Sequence, residues 1–203
     1  MSRGAQLSGA KGFEWARSMR DRVTDTLGHE VQLWARALSP GFGTVSWTSW
    51  WEDLTSMENA FAKLAVDAKY AEAAAAGREH ITGSVDDTLT QSITGVPPAS
   101  GTARYVGSIQ AVVAQGNGVR AFGAGVEIAE KAAAISGAPT MFVQRLTGPY
   151  GAVGWFSAFE NLGHFESASA KLAADPGFAT FLDSLKGCFV EGSGQSLLWM
   201  KID

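Results

Sequence analysis

Residues 43–71, GTVSWTSWWEDLTSMENAFAKLAVDAKYA, align without a gap to residues 151–179, GAVGWFSAFENLGHFESASAKLAADPGFA. Val45, Trp47, Ser49, Glu52 and Leu54 meet Val153, Trp155, Ser157, Glu160 and Leu162. Glu58, Lys63, Leu64 and Asp67 meet Glu166, Lys171, Leu172 and Asp175, and Tyr70 falls on Phe178. Carried upstream, the same alignment sets Trp34 on Phe142, Leu38 on Leu146 and Ser39 on Thr147. A chain that repeats itself over this length is a duplication, and each copy must solve the same folding problem. The boundaries expected are copy 1 at 1–94, a linker GVPPASGTAR at 95–104, and copy 2 at 105–203. The linker's Gly, Pro and Ser content suits a connection without packed structure.

Periodicity and turn residues predict the elements. Copy 2 reads as a strand over 108–115, a helix over 125–136, strands over 140–146 and 152–159, a helix over 164–185 and a strand over 196–202. Copy 1 reads as a helix over 13–26, strands over 31–38 and 44–51, a helix over 56–79 opened by a Thr55/Glu58 capping box, and a strand over 87–93. The order βαββαβ is ferredoxin-like: one antiparallel sheet with two helices on one face. The other sheet face is bare, and a twofold mate is the usual cover. The fold class expected is therefore α+β, two tandem ferredoxin-like units forming an intramolecular barrel. Aligning Glu14 with Glu127 puts Met1 opposite Ala114, so copy 1 lacks a visible first strand. Three explanations stay open: a short substitute strand at AQLSG, a strand lent by another chain, or a start assigned downstream of the real one.

Strand alternation assigns the tryptophans. Val45, Trp47, Ser49 and Trp51 share a face that copy 2 repeats as Val153, Trp155, Ser157 and Phe159, so Trp47 and Trp51 are expected in the core against each copy's own helices. The opposite face differs between copies, leaving Trp50 and Phe156 toward a partner sheet or a cavity.

Composition excludes several classes. Net charge is −4 with scattered Lys and Arg, which does not suit a nucleic-acid face or a membrane-surface helix. The single cysteine, Cys188, rules out a disulfide within the chain, and a buried thiol in a reducing compartment is expected. The start MSRGAQLSGAKG has no apolar signal-peptide core. The localisation expected is cytoplasmic. His29, His80 and His164 lie far apart and no Cys/His cluster has metal-ligand spacing. GNGVRAFGAG, 116–125, follows a strand and approximates a dinucleotide fingerprint with Ala121 in the third position, but no acidic residue follows where that motif needs one.

The pattern strand–Trp–x–Ser (VSWTSWWEDL, VGWFSAFENL), followed by a helix ending LAVDAKY or LAADPGF, resembles the dimeric α+β barrel superfamily in a tandem, fused form. Its members include antibiotic-biosynthesis-type monooxygenases, haem-degrading oxygenases, muconolactone isomerase-like proteins and NIPSNAP-like proteins. The resemblance implies a small-molecule enzyme that oxygenates or isomerises an apolar aromatic ligand, without a cofactor, in a pocket between sheet and helices. In the haem-degrading members a ligand histidine lies four positions past the aromatic matched by Tyr70 and Phe178. Those positions here are Ala74 and Leu182, so no haem and no other cofactor is expected.

The residues expected to carry chemistry are Arg36, as a grip for an anionic oxygen between Trp34 and Leu38; Asn59, on the long helix; and His164, a base whose neutral form the helix N-terminus favours. Gln144 takes the place of Arg36 in copy 2. The ligand-pocket residues expected are Trp34, Trp50, Phe61, Phe142 and Phe156. The partner expected is a small apolar or aromatic molecule, with no nucleic acid and no membrane, and a homodimer is left open. The alternative reading is a non-catalytic binding or assembly protein whose pockets are filled by its own aromatics. An interior cavity of roughly 300 Å³ or more with Arg36, Asn59 or His164 pointing in favours the enzyme, and a filled interior favours the alternative. On the residues at positions 74 and 182, titration with haem should give no Soret shift at stoichiometric haem, and a shift would reverse the assignment.

Overall fold

The computed structural model of the chain describes residues 1–95 and 103–203, so most of the expected linker lies outside the described residues. The chain divides into two compact units, Met1–Thr88 with Lys201–Asp203 and Leu89–Met200. The expected boundaries follow the repeated sequence, whereas packing divides the chain at Thr88/Leu89 and Met200/Lys201. The fold is mixed α+β, with antiparallel strand pairs and six α-helices among the described residues.

The first unit runs β1 (Ser2–Leu7), α1 (Gly9–Leu27), β2 (Gln32–Ala37), β3 (Thr44–Thr48), α2 (Leu54–Ala65), α3 (Ala68–Ala76) and β4 (Ile81–Thr88). Its strands lie in the order β4-β1-β3-β2, each antiparallel to its neighbour. The chain's last residues finish this unit. The Ile202 N–H donates to the Leu33 carbonyl (2.8 Å), and Arg17 and Arg20 of α1 donate to the carbonyls of Asp203 and Ile202. The second unit contains β5 (Thr90–Thr94), β6 (Tyr105–Val112), α4 (Gly118–Ser136), β7 (Thr140–Arg145), β8 (Ala152–Phe159), α5 (Leu162–Ala174), α6 (Pro176–Ser184) and β9 (Gln195–Lys201). Its order is β9-β6-β8-β7-β5.

Copy 1 does have its first strand, which corrects the expectation that it is missing. Ser2–Leu7 forms β1 between β3 and β4, with Arg3 opposite both Trp47 and Asp87. It includes the Ala5-Gln6-Leu7 part of AQLSG. The strand was hidden by the Glu14–Glu127 alignment. Helices α1 and α4 are both 19 residues long and match start to start, which sets Glu14 against Gly123. The connection before α1 is Ser8 alone, whereas copy 2 spends residues 113–117 on it. The start of α4 was also missed, because its glycines weaken helix propensity. Gly125 is needed there: the Phe142 ring lies against it, and a Cβ would collide with that ring.

A second correction concerns register. Leu33 stands opposite Trp47, and Phe142 stands opposite Trp155. Thirteen residues separate the first pair and twelve the second. The extra residue in copy 1 falls near Leu38, the one described non-glycine residue with positive φ (47°). The structural counterpart of Phe142 is therefore Leu33, and Trp34 lies on the opposite face, because a one-residue slip inverts a strand. The counterpart of Arg36 is Arg145, in place of Gln144.

The expected single long helices are each two. The aligned aspartates break them. Asp67 accepts from the N–H groups of Lys69 and Tyr70 and caps α3; Asp175 accepts from the Phe178 N–H and caps α6, with Pro176 in the first turn. The first long helix is capped by Asp53, which accepts from the Ser56 N–H (2.7 Å), and not by the Thr55/Glu58 box, since Thr55 is already inside α2. Its copy 2 counterpart Asn161 accepts from the His164 N–H (2.8 Å).

Both copies fasten sheet to helix in the same way. The Trp47 indole N–H donates to the Ala16 carbonyl of α1 (3.0 Å), and the Trp155 indole N–H donates to the Gly125 carbonyl of α4 (2.8 Å). Both rings are buried, at 9% and 6% exposure. The core of the first unit gathers Leu33, Val45, Trp47 and Ile202; that of the second gathers Ala129, Phe142, Val153 and Trp155.

Replacing Trp155 by Ala should destabilise the protein by about 3–5 kcal/mol, and Asn161→Ala by about 1 kcal/mol, read as shifts in the denaturant midpoint. Asp67 is held below the ordinary carboxylate range, first by the Thr26 hydroxyl and then by the Tyr70 N–H. A depressed carboxylate stabilises above its unfolded pKa and loses that contribution as pH falls through the folded value. The protection of α3 amides, taken relative to the intrinsic exchange rate at each pH, should therefore fall on the acid side of the carboxylate range and stay constant near neutrality. Asp67→Asn should remove the acid step.

Candidate functional site

The first unit holds a half-open cavity of about 420 Å³ between its helices and strands. Helix α1 lends Trp15, Met19 and Val23; α2 lends Phe61 and Leu64; α3 lends Tyr70 and Ala74. The walls on the strand side include Arg3, Trp47, Ser49, Trp51 and Val85. The lining is aromatic and aliphatic, with a few convergent polar groups, as in small-molecule sites.

Its rings are held in place. Trp15 packs edge-on against Trp47 (5.7 Å between centroids) and donates its N–H to the Ala73 carbonyl (2.8 Å). The edge of Trp15 lies against Gly77, where a Cβ has no room. Trp51 stacks on His29 (4.0 Å, 15° between planes) and donates to the Ser49 hydroxyl (2.9 Å). Ala5 and Leu7 of β1 are core residues, and strand alternation puts Arg3 on the same helix-facing side. The Arg3 guanidinium forms a two-point ion pair with Asp87, Nε to Oδ1 and Nη2 to Oδ2, both 2.7 Å. Its Nη1 approaches the Tyr70 hydroxyl at 3.4 Å. The bond to Asp87 raises the guanidinium pKa well above its ordinary value, against the opposing effect of burial.

The second unit has the same rows with different side chains. Leu33, Trp47, Arg3 and Asp87 run across the first sheet; Phe142, Trp155, Ile109 and Ser196 run across the second. Where the first unit has Leu33, the second has the fully buried Phe142, stacked on Trp155 (5.3 Å) and meeting Phe122 edge-on (5.9 Å). Phe189 closes the series against Trp155 (5.6 Å). The ion pair has no counterpart in the second unit.

Of the residues expected to line a pocket, Phe61 lines this cavity. Trp34 is buried with its N–H on the Thr48 hydroxyl (3.0 Å), Phe142 is core of the second unit, and Trp50 and Phe156 are half-buried. Arg36 donates to the Pro40 carbonyl (2.9 Å) and holds the β2–β3 turn; burial lowers its pKa. Asn59 is exposed on α2. His164 belongs to the second unit, edge-on to Phe159 (5.6 Å) at the start of α5. Trp51, expected in the core, is half-buried in the cavity wall. Arg3, Tyr70 and Asp87 carried no signal while β1 was unread; once it is read, Arg3 is a charge on an otherwise apolar strand face.

The position that the resemblance assigns to a haem ligand is Ala74, a cavity-wall residue with no ligating atom. Among the described residues no cluster of three His, Cys, Asp or Glu is placed to hold a metal, and no helix is long and apolar enough to cross a membrane. Cys188 is buried and free.

No family model matches the chain, and no curated relative matches it. Solved structures do. A candidate monooxygenase from Fusobacterium nucleatum superposes with a TM-score of 0.70 at 11% identity, over 100% of this chain and 91% of that one. An anthrone oxidase-like protein superposes at 0.63 and 11% identity, over 100% and 90%. A regulator of staphylococcal pathogenesis superposes at 0.58 and 9% identity, over the whole of both chains. At these identities the likeness speaks for the fold and leaves the chemistry to the site. The chain shares its mixed α+β fold with these solved structures.

Proposed function

We propose that the protein is a small-molecule enzyme that oxygenates an apolar aromatic ligand in the first unit's cavity without a bound cofactor. The observation that carries this is the cavity itself: about 420 Å³, walled by three indoles, with one guanidinium and one phenol at its edge. The names of two structural neighbours, a candidate monooxygenase and an anthrone oxidase-like protein, support the reaction class. The tandem ferredoxin-like architecture is part of the same proposal, supported by the order β4-β1-β3-β2 and its repeat β9-β6-β8-β7. So are a cytoplasmic location, on the strength of a lone cysteine, and a partner list confined to small molecules, with homodimerisation left to measurement.

The chemistry asks little of the protein. An activated ring methylene loses a proton to water and becomes an enolate, whose oxygen lies toward Arg3 and Tyr70. The enolate passes one electron to O2, and the radical pair joins as a C–O bond. The resulting peroxide takes up a proton and breaks: one oxygen stays as a carbonyl, and the other leaves as water with the second methylene hydrogen. The substrate supplies every electron. The protein supplies orientation and donors for the growing negative charge.

A non-catalytic binding protein is the second reading. It is favoured by one feature: the cavity lining contains no carboxylate and no imidazole to act as a base.

Anthrone, a tricyclic ketone with one such methylene, tests both. It should quench tryptophan fluorescence saturably, and oxygen uptake should match quinone formation. Trp51→Ala should weaken binding about tenfold while shifting stability far less than Trp155→Ala. Quenching without oxygen uptake selects the binding reading. No quenching rejects the site.

A further inference from the structure

We infer that Asp87 sets the ligand class, so that the cavity accepts a neutral ring system bearing a carbonyl or hydroxyl oxygen and discriminates against carboxylates. The inference rests on the first unit's cavity being the ligand site, and deepens that reading.

Trp47, Arg3 and Asp87 form a row across β3, β1 and β4. A lone arginine at the edge of an apolar cavity is an anion trap, because a guanidinium meets a carboxylate fork to fork. Here the fork is already engaged. Asp87 takes Nε and Nη2 at 2.7 Å each, and the remaining Nη1 is directed toward the Tyr70 hydroxyl. The pair is charge-neutral, so an incoming carboxylate meets no net attraction, and gaining two-point contact requires it to displace Asp87. It would also lose its hydration shell against indole walls.

A ketone or phenol has a smaller desolvation cost. It needs a single donor, which Nη1 or the Tyr70 hydroxyl provides. The same donors meet the charge that grows on that oxygen when the ring becomes an enolate. The arrangement therefore favours an oxygen that becomes anionic during reaction over one that arrives anionic.

Comparison within the chain isolates the role. In the second unit Ile109 and Ser196 stand where the first has Arg3 and Asp87. A pair needed only to join strands would be expected in both copies. Exposure supports the same view, since the two side chains are 40% and 50% exposed and an ion pair so exposed adds little stability.

The test uses three tricyclic probes of one shape: anthracene, which has no oxygen; anthrone, which has a neutral one; and anthracene-9-carboxylate. Binding is read by tryptophan quenching on the full chain, with circular dichroism and melting curves recorded for every variant. Wild type should bind anthrone about tenfold more tightly than anthracene and more tightly than the carboxylate. Arg3→Met should erase the preference for anthrone while anthracene binds as before. Tyr70→Phe, which keeps the ring, should reduce the preference in part. Asp87→Asn frees the guanidinium and should strengthen carboxylate binding about tenfold with anthracene unchanged. Equal affinity for anthrone and anthracene in wild type, or an Asp87→Asn protein whose carboxylate affinity does not rise, overturns the inference and leaves the cavity standing as a site. Wild-type protein that binds none of the three overturns the inference and the site together.

Discussion

The indole N–H of one tryptophan in each copy, donated to a carbonyl of that copy's first helix, joins sheet to helix. Trp47 reaches Ala16 and Trp155 reaches Gly125. A buried indole without a partner is costly, so the bond fixes the ring's orientation as well as its burial. With that orientation set, the neighbouring position on the next strand decides what packs beside the ring. Phe142 stacks on Trp155, whereas Leu33 stands opposite Trp47.

The unit with the described pocket also differs from the second in its polar groups. Arg3, Asp87 and Tyr70 in the first unit stand where the second has Ile109, Ser196 and Phe178. These differences gather at the cavity wall. The break between α2 and α3 belongs to the same region. Asp67 caps α3 and accepts the Thr26 hydroxyl from α1 (2.6 Å), tying the helix that carries Tyr70 and Ala74 to the helix that carries Trp15. The cavity wall is therefore held by side-chain to backbone bonds at its corners.

Much of the fold was legible because residues 43–71 and 151–179 carry the same pattern twice. Gapless matching exposed Trp47 and Trp155 as equivalents and gave the strand and helix order. It failed where the copies differ in length. The single residue Ser8 that joins β1 to α1 in copy 1 hid β1, and with it Arg3. The extra residue near Leu38 set Trp34 against Phe142, when Leu33 is the true counterpart and Trp34 faces the other way. Pattern reading also joined each pair of long helices, since the apolar spacing continues across Asp67 and Asp175 while the caps are local. The candidate residues Arg36, Asn59 and His164 were chosen for their chemistry alone. Arg36 ties a turn, Asn59 is exposed, and His164 packs in the second unit.

The amino-acid sequence by itself determined the mixed α+β class and most of the element order, because apolar periodicity and a repeated Trp–x–Ser strand leave few ways to bury the same positions twice. Which side chains stand together, and which charge faces the pocket, was decided only in three dimensions. Both depend on cross-strand neighbours, and strand register is set by turn length and packing rather than by the residues that end up side by side.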